Sequence, residues 1–106
     1  MELPNNPLEV TLKILDCKWK FLIIRELLKE DKRFNQLKKD VNGISQKILS
    51  AKLKELITDG FVTKINKESI FQYRLTDLGM TLKPVIDTLS DWGKDFKKYN
   101  KLLKKN

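Results

Sequence analysis

At 106 residues, with 41% hydrophobic and 34% charged side chains, the chain has the size and composition of one globular domain with a modest core, which excludes a low-complexity polymer or two independent folds. One cysteine and no histidine exclude an internal disulfide, a multi-cysteine zinc site and the commonest general base, so no catalytic residue, metal or cofactor is expected. The formal charge of +8 points to a polyanionic partner. It is concentrated in two places: residues 32–75 hold ten Lys and Arg against four Asp and Glu, and residues 94–106 hold six against one.

Pro7 suits the first turn of a helix in which Leu8, Leu12 and Leu15 recur at helical spacing and which ends near Asp16. The run KWKFLIIRELLKE from Lys18 predicts a central helix with Trp19, Leu22, Ile23, Leu27 and Leu28 inward and Lys20, Arg25, Glu26 and Lys29 outward. Phe34, Leu37 and Val41 mark a short third helix stopped by Asn42-Gly43. Ser45 is placed as an N-cap for a fourth helix, about 45–59, whose stripe Ile48, Leu49, Leu53, Leu56 and Ile57 stops at Asp59-Gly60. The period then changes: Phe61, Thr63 and Ile65, and Phe71, Tyr73 and Leu75, alternate with polar residues around 66–69, predicting a hairpin over about 61–75. Thr76 caps a last helix, about 77–99, which Pro84 bends or restarts and whose lysine-rich end is expected to fray. No apolar run approaches the roughly 18 residues of a membrane span, and MELPNNPLEV lacks the basic and apolar regions of a signal peptide. A cytoplasmic protein without a membrane partner is expected.

The order helix, tight turn, helix, hairpin is that of a winged helix-turn-helix, mainly α with a small β-hairpin, over a single domain 1–106. In that arrangement one helix braces a second whose outer face enters the major groove of double-stranded DNA. With the apolar stripe inward, Ser45, Gln46, Lys47, Ser50 and Lys54 fall on or near the outer face of the fourth helix. Gln pairs with adenine, Lys donates to guanine, and small side chains let the backbone approach. Lys64, Lys67 and Arg74 supply a basic wing for the phosphate backbone, with Arg33 and Lys38 at the other margin. The plain alternative is a solvated amphipathic face on a winged-helix protein-interaction module that does not bind specific DNA. A third reading makes the tail lysines 94, 97, 98, 101, 104 and 105, interleaved with Phe96, Leu102 and Leu103, a membrane-surface element.

The segments KWKFLIIRELL, RFNQLKKDVNGISQKILSAKLKELITDGFV, YRLTDLG and LKPVIDTLSDWG resemble the successive signatures of HxlR-type regulators, over roughly residues 7–93. The resemblance implies a transcription regulator working as a homodimer, its terminal helices packed together and its recognition helices reading a pseudopalindromic operator. The stripe Leu82, Val85, Ile86, Leu89, Trp92 and Phe96 is compatible with that interface and equally with a helix folded back on its own domain. Members of this family commonly sense oxidants through a cysteine just before the proline of the first helix, a position held here by Asn6. The lone Cys17 stands where the pattern has a glycine. It reads as a small buried filler, or as a thiol sensor if Lys18 or Lys20 activates it. A small-molecule effector is left open.

Overall fold

The computed structural model describes residues 2–104. Asn6 accepts from the amides of Leu8 and Glu9 and so starts α1, Pro7–Ile14, with Pro7 at its first position. This helix ends two residues earlier than expected, and Leu15 turns into the core. Helix α2 is Lys18–Lys29, α3 Phe34–Asp40 and α4 Gln46–Thr58. Strands β1, Val62–Lys67, and β2, Ile70–Leu75, form the hairpin. The expected last helix is two: a short α5, Asp77–Met80, capped by the Thr76 hydroxyl, and α6, Lys83–Lys104, with Pro84 in its first turn where its missing N–H costs nothing. Helix α6 remains continuous through the lysine-rich stretch to Lys104; Lys105 lies outside the described residues.

The core is one cluster: Ile23, Ile24 and Leu27 of α2, Leu37 of α3, Leu49, Leu53 and Leu56 of α4, Val62 and Leu75 of the hairpin, and Ile86 of α6. Fully burying each such side chain contributes about 1.5–3 kcal/mol. Ile57, grouped by spacing with the inward stripe of α4, is instead exposed. Helix α4 ends in a Schellman motif, with Phe61 N–H on the Leu56 carbonyl, Gly60 N–H on Ile57, and Gly60 in the left-handed region that this cap requires (φ 87°).

Two charged residues expected outside on α2 are inside. Glu26 is 3% exposed and Lys20 4%. Both are paired: Lys20 with Asp16 at 3.3 Å, and Glu26 with Lys32 at 3.1 Å. Lys32, itself buried, also reaches Asp40 at 2.6 Å. It further exchanges both backbone hydrogen bonds with Tyr73, adding a third segment to the hairpin edge. The pairing register, Val62 opposite Leu75 through Lys67 opposite Ile70, puts Thr63 and Ile65 on one face and Tyr73, Phe71 and Leu75 on the other. The two apolar triplets read from the sequence therefore do not share a face. Val62, which belongs to neither, lies with Leu75 and Tyr73 on the side packed against the core.

Candidate nucleic-acid interface

Leu37 and Val41 on one side of the Asn42-Gly43 turn, and Ile44, Leu49 and Leu53 on the other, are all buried in the common core. Burial of this set fixes α4 against α3 and leaves one face of α4 free. On that face Gln46, Lys47, Ala51 and Lys54 are exposed, and Ser50 is half-buried at its edge. Ser45 holds the helix start: its hydroxyl accepts from Ile48 N–H at 3.1 Å. Its side chain is therefore committed to the cap, leaving the amides of Gln46 and Lys47 among the unpaired donors at the positive end of the helix.

The flanking cations divide by what they touch. Arg33 and Lys38 are exposed beside α3, where Arg33 N–H donates to the Gln36 side chain at 2.9 Å and secures the helix start. Lys67 is exposed at the hairpin tip. Lys64, three positions earlier, lies on the opposite face, its ammonium 4.6 Å from the centre of the Phe71 ring. Arg74 shares the Lys67 face by register, but its Nε and Nη2 donate to Asp31 at 3.0 and 2.7 Å, tying β2 to the loop before α3. The structure thus does not gather Lys64, Lys67 and Arg74 on one surface. Lys32, counted in the basic block, is neutralised inside.

Cys17 is half-buried at the start of α2. Of the two cations expected to activate it, Lys20 is paired with Asp16 at 3.3 Å, and the Lys18 ammonium lies 4.4 Å from the centre of the Trp19 ring. Among the described residues no group of three or more Asp, Glu, Cys or His side chains is placed to hold a metal ion. No helix among them is long and apolar enough to cross a membrane.

The model of the HxlR-like helix-turn-helix family matches residues 14–101, spanning α2, the helix-turn-helix, the hairpin and most of α6. The chain belongs to that family. Its relatives include the HTH-type transcriptional regulator YdeP of Bacillus subtilis, 37% identical over 86% of this chain and 73% of its own. Another is BH0655 of Halalkalibacterium halodurans, also an HTH-type transcriptional regulator, 39% identical over 84% of this chain and 82% of its own. Among solved structures the redox regulator HypR in its reduced form superposes with a TM-score of 0.83 at 29% identity, over 91% of this chain and 98% of that one. This HxlR-like chain is accordingly a DNA-binding helix-turn-helix transcriptional regulator, and its relatives are regulators and not enzymes.

Two features of the molecule escape a reading of the sequence alone. Tyr99 and Leu103 continue the apolar series of α6 beyond Phe96 at the same three- and four-residue steps, and both are exposed; the spacing carried this signal but the surrounding lysines masked it. The Glu26, Lys32 and Asp40 cluster under the helix-turn-helix had no signal in local sequence, since its members come from α2, the following loop and α3.

Proposed function

We propose that the chain binds a pseudopalindromic operator as a homodimer in the cytoplasm, reading bases through Gln46, Lys47, Ser50 and Lys54 of α4 and phosphates through Arg33, Lys38, Lys64 and Lys67. Ser45 contributes as the cap that orients the first turn, and Arg74 acts through Asp31 to position the wing. The observation that carries this reading is the free outer face of α4, where Gln and Lys alternate with small Ser and Ala side chains, on a helix whose other side is locked in the core.

The dimer rests on α6. Leu82 and Val85 are half-buried on their own domain and Ile86 is 5% exposed, so this first turn serves the core. From Leu89 onward the stripe faces away: Leu89, Trp92, Phe96, Tyr99 and Leu103 are all more than half exposed. They repeat at alternating steps of three and four, the spacing of a helix-helix seam. Trp92 and Phe96 stack at 5.3 Å, presenting one flat aromatic surface. Exposed Leu8 and Leu12 give α1 an apolar face of its own.

Selection of bound fragments from the source genome, followed by titration of the recovered site, tests the reading. Gln46→Ala and Lys47→Ala are each expected to weaken binding by about 1–3 kcal/mol and to relax preference at one position per half-site. Unchanged specific binding by both variants would reject the assigned face. Failure to recover any sequence would favour a protein-interaction module.

A further inference from the structure

The second half of α6 carries two faces. Lys94, Lys98 and Lys101 each follow a seam residue, Trp92, Phe96 or Tyr99, by two positions, a rotation of about 200° on a helix. With Lys97 and Lys104 they form a stripe on the side away from the seam, and all five are exposed. Among the described residues none of the five forms an ion pair, whereas at the start of the same helix Lys83 is paired with Asp87 at 2.6 Å. Lys97, Lys98, Lys101 and Lys104, with Asn100, also line a hollow of about 480 Å³. Like charges at four-residue steps, as in Lys94 with Lys98 and Lys97 with Lys101, oppose the helix by a few tenths of a kcal/mol each, and Asp95 is the only acid after Gly93. A polyanion laid along this face would remove that repulsion.

We infer that the lysine face of α6 is a second phosphate-binding surface for duplex DNA, distinct from the winged helix-turn-helix. The inference rests on the seam being covered by the partner protomer, which leaves the lysines as the outward side of α6. From Lys94 to Lys104 the helix rises about 15 Å, matching about four phosphates of one strand at 3.4 Å per phosphate along the duplex axis. A bilayer suits the face less well. Interfacial binding needs apolar side chains beside the charges, and here Leu102 alone flanks the stripe while the others lie in the seam.

The salt dependence of binding tests this on the full chain. Lys98→Gln/Lys101→Gln is compared with Lys13→Gln/Lys83→Gln, which removes the same charge elsewhere, on a random-sequence duplex of about 40 base pairs between about 50 and 200 mM salt. Each lost phosphate contact flattens the plot of log Kobs against log salt by about 0.9, so the α6 variant is expected to lose roughly 3–4 from the slope of a dimer. The control is expected to lose less than about one. Equal slopes for the two variants would overturn the inference. So would an α6 variant whose only defect is weaker sedimentation with phosphatidylserine vesicles. Sedimentation velocity of both variants confirms that the seam is intact. A monomeric wild-type chain would refute the dimer while leaving the slope comparison to decide the lysine face per protomer.

Discussion

Glu26 and Lys32 are the residues whose chemistry departs furthest from a reading of the sequence. Burial pushes the Glu26 carboxyl up, but hydrogen bonds from Lys29 and Lys32 outweigh it and hold the group below the ordinary carboxylate range. The Lys32 hydrogen bond lowers Asp40 in the same way, and its bond to Asp40, assisted by Glu26, raises Lys32 above the usual lysine value against the cost of burial. For the carboxylates a depressed folded pKa means stability fully present above the ordinary range near pH 4 and lost as pH falls through the depressed values. For Lys32 the stability is present below about pH 10.4 and lost as pH rises through the raised value. Without a histidine in the chain no imidazole titrates between these limits. Urea midpoints are therefore expected to be nearly flat from about pH 5 to 9 and to fall on either side. Glu26→Gln should remove much of the acid limb and cost about 2 kcal/mol at neutral pH; an unchanged acid limb would show that the cluster does not couple folding to protons. The single-residue caps were legible beforehand, because Ser45 and Thr76 satisfy local amides a few residues away. The burial of Glu26 was not, since its buried partner Lys32 is placed by the path of the loop after α2.

At the scale of elements, the helices were largely readable because burial of one stripe imposes the 3.6-residue period, whereas the hairpin's phase was not. Its register is set at the turn, where Glu68 and Ser69 both adopt left-handed backbone, φ 53° and 66°, a turn that usually recruits Asn and Gly. These residue types do not announce it. Relieving the strain at one of them makes a prediction: Ser69→Gly should stabilise the protein by about 1 kcal/mol, seen as a higher Tm with the same fold. The junction between α5 and the start of β1 is far less tolerant. A Cβ on Gly79 would stand 2.2 Å from the Phe61 carbonyl oxygen, which also accepts the Thr76 amide, and against the Leu75 side chain. Gly79→Ala is expected to cost about 2–4 kcal/mol in chemical denaturation, and a loss below about 0.5 kcal/mol would mean that α5 shifts freely. On the other edge of the hairpin, β2 is fixed to the rest of the domain by the Arg74 guanidinium, which donates to Asp31, and by the Lys32 backbone, which pairs with Tyr73.

In the whole molecule, α6 joins a core-packing first turn to the exposed apolar series proposed above as a dimer seam, and the sequence presents the two as one stripe. Ile86 belongs to the core, so cutting the chain before Leu82 would unfold the domain along with any dimer and cannot separate the two. Charges placed farther out can. Leu89→Glu/Phe96→Glu should leave the thermal transition within a few degrees of wild type, since both side chains are more than half exposed, and should halve the mass seen by sedimentation. A dimer that survives would move the interface to α1. In the proposed assembly the placing of Ile86 has a further consequence. The helix runs about 27 Å from Ile86 to Lys104 without a break, so it behaves as a rigid arm rooted in the domain by its first turn, where Ile86 is the buried anchor beside half-buried Leu82 and Val85, and a tilt of about 6° there carries its far end about 3 Å. The gap between two half-sites that a dimer can span is then set by how Ile86 is seated, and conservative changes at that residue would retune operator length without altering any group that touches a base.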